Sequence, residues 1–251
     1  MRIKGLLISA ICLAILAGAV SCGKKGNVAK VTIASDATWP PMEMINKDKK
    51  MVGYAIDYFT AVGKEAGIEF EFKNTAWDGI FAGLAAGKYD MVVSSVTITE
   101  KRKKTMDFSE PYFESGQALV VAKGSSAKTI ADLKDKKVGA QIGTTGAFEI
   151  KKNKGVTLKT YDEVGLAFED MAAGRIDGVV CDTPVAANYA LQKSEYKNKF
   201  KIAVNIPTKE FYGAAFPKGK KDLIEKVNKG IKAVKEKGID KKLFKKWIGT
   251  N

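Results

Sequence analysis

Hydrophobic and polar positions along this chain switch between two periods. Val31-Thr-Ile-Ala-Ser35 reads as a short buried strand, and Tyr54–Ala66 carries Ile56, Phe59 and Val62 on one side of a helix. Ile68-Glu-Phe-Glu-Phe72 alternates at period two, and a helix over residues 77–86 and a strand over 91–96 follow. The scheme then recurs with a helix near Ile130, a strand over 138–142, a helix after Thr145, a strand over 156–159, a helix over 166–172 and a strand over 178–181. Such alternation predicts an α/β fold with largely parallel sheets. Near the end, Ile224, Val227, Ile231 and Val234 recur at helical spacing over residues 223–237, with Gly238 as the stop. A last short helix carries Leu243, Phe244 and Trp247.

Two stretches read almost alike: Leu84-Ala-Ala-Gly-Lys-Tyr-Asp-Met-Val-Val-Ser94, and Met171-Ala-Ala-Gly-Arg-Ile-Asp-Gly-Val-Val-Cys181 followed at once by Asp182. Each combines a helix end, a glycine stop, a charged turn and a buried strand, which predicts two similarly built α/β lobes. In open α/β sheets, ligands lie beyond the carboxyl ends of the strands. If the lobes face each other, Ser94 and Asp182 look into one cleft. Segments 117–122 and 211–216 are the candidate connections between the lobes.

The first residues change the picture of where the protein works. Met1-Arg-Ile-Lys4 precedes an apolar run from Gly5 to Val20. At roughly 16 residues that run is shorter than the ~20 of a membrane span, so it reads as an export signal. Ala19-Val-Ser-Cys22 resembles the lipobox of bacterial lipoproteins, with Ala19 standing where leucine is usual. The resemblance implies cleavage before Cys22 and lipid on that residue: signal peptide 1–21, lipidated tether 22–29, and an exported protein held to a bacterial membrane, facing the periplasm or the exterior. Two or more acyl chains make a stable anchor where one does not. A plain signal peptide with an incidental cysteine is the alternative.

Composition then narrows the chemistry. Of three cysteines, Cys12 leaves with the signal and Cys22 would carry lipid, so Cys181 is expected to be a lone thiol without an intramolecular partner. The chain has no histidine, which removes Ser-His-Asp and Cys-His nucleophiles and histidine-based zinc sites. No cofactor and no metal are expected. A formal charge of +14 raises nucleic acid as a partner, but the lysines are scattered without aromatic interleaving. A solvated surface, attracted to the membrane that holds it, is the expectation.

Four elements fall where the lobes should meet. Asp36-Ala-Thr-Trp39-Pro-Pro41 follows the first strand, and Trp39 there is either loop packing or a flat wall for a ligand. Trp77 is a candidate opposite wall, suited to an alkyl or guanidinium group. In Ser94-Ser-Val-Thr97-Ile-Thr-Glu-Lys-Arg102, the arginine can grip a carboxylate with two parallel hydrogen bonds. Gly143-Thr-Thr-Gly146 leaves helical N–H groups free for an anion. Asp182-Thr-Pro184 either starts a helix or aims a carboxylate across the cleft at a cation. Together these groups invert the charge pattern of a free α-amino acid.

With Gly53-Tyr-Ala-Ile-Asp57, Asp107-Phe-Ser-Glu-Pro-Tyr112 and Ala172-Ala-Gly-Arg-Ile-Asp177 in the same order, these motifs resemble the periplasmic solute-binding proteins of amino-acid ABC transporters, polar amino-acid type, over residues 30–250. Ala55 departs from the family, which usually has an acid there. The resemblance implies a two-lobed α/β periplasmic binding protein of type II, with residues 30–116 plus 212–251 as lobe 1, 117–211 as lobe 2, and two extended hinge segments. It implies a monomer, not an enzyme, whose partners are a free L-amino acid, an ABC permease with its ATPase and, through the lipid, a membrane. It further implies that Arg102 binds the ligand carboxylate with the Thr97 and Thr145 backbone, that Asp182, the Ser95 region and the Thr97 hydroxyl hold the ammonium, that Trp39 and Trp77 enclose the side chain, and that Asp36, Ser94 and Thr144 line it. Asp36 with two tryptophans favours a basic ligand, arginine first. Glutamine or another polar amino acid is the main alternative. A dehydratase of prephenate-like acids, using Glu43 or Glu114 as general acid, and a surface adhesin are lesser ones.

Overall fold

In the computed structural model, which describes residues 30–249, the chain forms two five-stranded sheets flanked by helices. The signal segment, Cys22 and the tether lie outside the described residues. The chain runs β1 (Val31–Ser35), β2 (Thr38–Trp39), β3 (Glu43–Ile45), β4 (Met51–Val52), α1 (Tyr54–Ala66), β5 (Phe70–Asn74), α2 (Ile80–Ala85), β6 (Met91–Val92), α3 (Glu100–Lys103), β7 (Met106–Phe108) and β8 (Phe113–Ala122). It continues through a 3-10 turn at Ala131–Leu133, β9 (Lys137–Gln141), α4 (Thr145–Lys151), β10 (Thr157–Tyr161), α5 (Val164–Ala172), β11 (Gly178–Asp182), α6 (Thr183–Ala187), a π-helical turn at Asn188–Gln192, β12 (Phe200–Tyr212), β13 (Ala215–Pro217), α7 (Lys221–Glu236) and α8 (Ile239–Trp247).

The sheets share one plan. Their strand orders are β5-β1-β6-β13-β7 and β10-β9-β11-β8-β12. In each, the first three strands are parallel and the fourth runs against them. The repeated glycine-stop motif ends in β6 of one sheet and β11 of the other, equivalent third positions. A parallel strand needs a helical crossover, and α1, α2, α4 and α5 supply these.

β8 and β12 form a long antiparallel ribbon, from Phe200 opposite Ala122 to Tyr212 opposite Phe113. At one end it completes the second sheet. At the other, Thr97 bridges to Tyr212 and the Ile98 N–H donates to the Phe211 carbonyl, so the ribbon ties the two sheets together.

Three predicted elements are shorter than expected. The helix over 77–86 begins only at Ile80, because Gly79 adopts φ 83° and breaks its first turn. The segment near Ile130 is a single 3-10 turn, held by Asp132 accepting from the Lys128 and Thr129 N–H groups at 2.9 Å. The strand over 91–96 leaves its ladder after Val92, and Ser95 sits at φ 47°, where the chain turns out of the sheet toward the cleft.

The core follows the apolar periodicity. Tyr58, Phe59 and Val62 of α1 and Val227, Ile231 and Val234 of α7 are all buried in one cluster. Gly230 permits the close approach, since a Cβ there would lie 2.7 Å from the Val62 carbonyl oxygen. On the second sheet, Phe168 and Tyr189 stack with centroids 4.0 Å apart.

Candidate ligand-binding site

A small cavity lies between the sheets, beyond the carboxyl ends of β1, β6, β9 and β11. Its wall contains Asp36, Trp39, Trp77, Ser94, Ser95, Thr97, Arg102, Thr144, Thr145 and Asp182, together with Gln141. The structure therefore brings together all ten residues picked from the sequence and adds an eleventh.

Local structure explains each placement. The Ser94 hydroxyl accepts from the Asp36 N–H at 2.9 Å, tying the ends of β1 and β6 together. Thr99 caps α3 by accepting from the Arg102 N–H at 3.2 Å, and this one-turn helix holds Arg102 at the cleft. The arginine donates from Nη1 to the Thr97 carbonyl at 2.9 Å and from Nη2 to the Gly143 carbonyl, across the cleft, at 3.3 Å. Its guanidinium lies over the rings of Trp77 and Phe81, 5.5 and 5.2 Å from their centroids. Trp77 thus supports Arg102, and its Nε1 donates across the cleft to the Ile142 carbonyl at 2.8 Å.

Thr144 caps α4, and Gly146 in the first turn leaves space that Gln117 uses: a Cβ there would stand 2.8 Å from Gln117 Oε1 and 2.9 Å from the Val180 carbonyl oxygen. Asp182 precedes α6 but makes no side-chain cap bond. Its carboxylate turns to the cleft and accepts from the Tyr212 hydroxyl at 2.5 Å and from Gln117 Nε2. Helix initiation does not account for this carboxylate.

Charge in the site is unbalanced. Two buried acids, Asp36 and Asp182, line the cavity with Arg102, and two more, Glu210 and Glu43, are buried behind its wall. Burial disfavours the charged form of each group. It pushes the Asp182 carboxyl up to about 7, with Glu210 adding to the rise and hydrogen bonds from Tyr212 and Gln117 opposing it. Burial also raises Asp36, against hydrogen bonds from Thr38 and Gln141, and raises Glu43 well above the carboxylate range, against one from Ser95. Burial brings Arg102 down to about 10 while Asp182 and Glu210 hold it up. A cavity with this surplus of acid favours a cation, while Arg102 offers one pairing point for an anion.

Sequence reasoning missed Gln141, Gln117, Glu210 and Tyr212. Gln141 ends β9 directly before the Gly143-Thr-Thr-Gly146 turn, so the strand-end rule would have found it. Glu210 carried only the signal of an acid two residues before Tyr212 in a predicted connection. Glu43 and Glu114, named as candidate general acids, part company. Glu43 is sealed under the site with both carboxylate oxygens 3.0 Å from the Ser95 hydroxyl, whereas Glu114 is exposed and 4.0 Å from Lys209 Nζ.

The model of the bacterial extracellular solute-binding proteins, family 3, matches residues 31–250. The chain is 32% identical over 222 residues to the L-cystine-binding protein TcyJ of Escherichia coli K12, covering 87% of this chain and 82% of that one. It is 34% identical over 243 residues to a probable histidine-binding protein of Neisseria gonorrhoeae, covering 91% and 90%. Among solved structures, an ancestral arginine-binding protein is 42% identical with a TM-score of 0.83, covering 88% of this chain and 98% of that one, both in its arginine-bound and in its glutamine-bound form.

Proposed function

Because the chain belongs to the bacterial extracellular solute-binding proteins of family 3, we propose that it is the substrate-binding component of an amino-acid ABC importer, taking a free L-amino acid, basic and arginine first, into this cavity. The observation that carries the reading is the pairing of one half-buried arginine with a surplus of buried acids. Arg102 receives the α-carboxylate, Asp182 the ammonium, and Asp36 the cationic end of the side chain. A charge buried alone in a closed cleft costs several kcal/mol, of order 2–5, so the empty protein prefers to open and the zwitterion tips it shut by joining Arg102 to Asp182. Residues 30–116 with 212–251 move as one lobe and 117–211 as the other, and a permease and ATPase complex receives the closed form.

One observation favours a second reading, a neutral polar ligand such as glutamine. The Gln141 amide already donates to Asp36 at 2.9 Å, so Asp36 has a partner without a cationic side chain. The binding reading is preferred to an enzymatic one because Glu43 does not line the cavity and Glu114 is exposed, leaving neither as a general acid in the cleft. The protein works as an exported monomer held to its membrane by lipid on Cys22.

Calorimetric titration of the purified protein, unfolded and refolded to strip carried ligand, against the common amino acids and ornithine tests this. Tight one-to-one binding of arginine or lysine with weak glutamine supports the reading. Binding of glutamine alone moves the specificity to the second one, and silence from every amino acid overturns the function.

A further inference from the structure

The connecting ribbon carries an acid that the reading above does not use. β12 does not pair evenly with β8: Ile206 lies opposite Gln117 and Glu210 opposite Ser115, so residues 207–209 bulge against Gly116 alone. Thr208 closes the bulge by accepting the Gln117 N–H on its hydroxyl at 2.8 Å. A Cβ on Gly116 would lie 2.8 Å from the Thr208 carbonyl oxygen, so the position needs glycine. Bulges beside functional sites re-aim side chains, and this one turns Glu210 inward, where it is 8% exposed.

Glu210 Oε2 there accepts from three directions: Thr97 Oγ1 at 3.0 Å beside the first sheet, Thr145 Oγ1 at 2.9 Å at the start of α4, and Gln117 Nε2 at 3.1 Å within the ribbon. The same Gln117 nitrogen faces Asp182 Oδ1 and, at 3.0 Å, Thr145 Oγ1. An amide carries two N–H bonds, and here it faces three acceptors, two of them carboxylates. Gln117 Oε1 is itself buried without a partner. The cluster lacks donors, and an ammonium brings three.

We propose that Glu210 is a positioning residue for the ligand's ammonium, forming with Asp182 a two-carboxylate seat around Gln117 and fastening Thr97 of one lobe to Thr145 of the other when the cleft is closed. The inference rests on the amino-acid reading. Rotation of the lobes must break at least one of the three bonds to Glu210, so the seat is complete only in the closed form. Glu210 and Gln117 stand behind the cavity wall and hold Thr97, Thr145 and Asp182, which line it, so the seat acts on the part common to all amino acids and sets affinity and closure, while Asp36 and Gln141 set side-chain choice.

The charged and titratable groups facing Asp182 are Arg102 from α3, Glu43 from β3, Glu210 and Tyr212 from β12, and Cys181 on its own strand. Binding requires the ionised Asp182, so affinity falls on the acid side of its titration. Removing the negative neighbour Glu210 moves that acid limb to lower pH, which a merely structural role would not do.

The test is calorimetric titration of purified wild type, Glu210→Gln, Glu210→Asp and Thr145→Val with each amino acid that wild type binds, between pH 5 and 8. The expected result for Glu210→Gln is a loss of about tenfold or more at pH 8, by a similar factor for every ligand, with its acid limb displaced downward. Glu210→Asp and Thr145→Val keep the charge and are expected to lose affinity with the acid limb in place. These two also read the inference if Glu210→Gln does not fold. Wild-type affinity in the variants, or an unmoved limb in a folded Glu210→Gln, overturns the inference and leaves the amino-acid reading standing. No binding by wild type overturns both.

Discussion

Gln141 Nε2 donates to Asp36 Oδ2 at 2.9 Å, joining the end of β9 in the second sheet to the end of β1 in the first. The same nitrogen donates to the Asp162 carbonyl at 2.7 Å. The contact puts an acid and an amide in the cavity wall, at the place the proposed reading gives to the ligand's side chain. Asp36→Asn is expected to lower affinity for arginine and lysine by about 10–100-fold, of order 1.4–3 kcal/mol, and to change glutamine less than about threefold. Gln141→Leu removes the internal donor and is expected to sharpen the preference for cations. Calorimetry across the amino acids reads both.

Among the described residues, Arg102 is the one cation lining the cavity. Arg102→Ala and Asp182→Ala are each expected to lower affinity at least ~100-fold, as loss of one partner of a buried charge pair does. Arg102→Lys should recover little, because a lysine cannot reproduce the forked contacts to Thr97 and Gly143. Near-normal binding by either alanine variant would exclude the assignment.

The buried acids make the empty protein sensitive to pH. A carboxyl raised from 3.8 to about 7, as at Asp182, contributes stability that is complete below about pH 4 and lost as pH rises through about 7. Asp36 and Glu43 are raised in the same sense, whereas the depressed Asp170 and Asp107 act only as pH falls through the acid range. Asp182 and Asp36 contribute this while the cleft is closed, whereas Glu43, held by Ser95, stays buried when it opens, so the ligand-free protein should melt a few degrees higher at pH 5 than at pH 8, roughly as a 1–2 kcal/mol change would produce. Glu43→Gln should flatten that slope. A higher melting temperature at pH 8 would contradict the assignment of Glu43.

Trp77 reaches across the closed cleft with a single N–H, to the Ile142 carbonyl. Trp77→Phe keeps the aromatic packing and removes that bond, worth about 1 kcal/mol. Ligand release in stopped flow should quicken by about three- to tenfold, with the melting temperature of the empty protein nearly unchanged.

Phe168 tests the packing on the second sheet. Fully buried and stacked on Tyr189, it should cost about 3–5 kcal/mol when replaced by alanine. Denaturant unfolding is expected to show this as a loss of stability centred on the second sheet, visible as lost protection of β9 and β11 in hydrogen exchange.

Much of the site was legible because its residues sit at strand ends and helix starts, which local pattern marks well. Ser94, Thr144 and Asp182 each lie at or just beyond the carboxyl end of a strand, which the strand-end rule brings to one cleft, and Arg102 lies in the short helix α3 that follows β6. Glu210 escaped because its role depends on a bulge: by even alternation along β12, its orientation is set by register with β8, and register is not written in a single strand. Helix limits were misjudged where one backbone angle decides them, as at Gly79.

The amino-acid sequence by itself determined the α/β alternation, the duplicated glycine-stop motif and the residue types that invert an amino acid's charges, because periodicity and composition act over a few residues and survive without tertiary contacts. Only the tertiary structure decided which groups meet. The Arg102 contact with Gly143, the Asp36 contact with Gln141 and the sharing of Gln117 by Asp182 and Glu210 join residues 41, 105, 65 and 93 positions apart. Their energies exist only once strands and loops distant in the chain are brought together and water leaves the space between them.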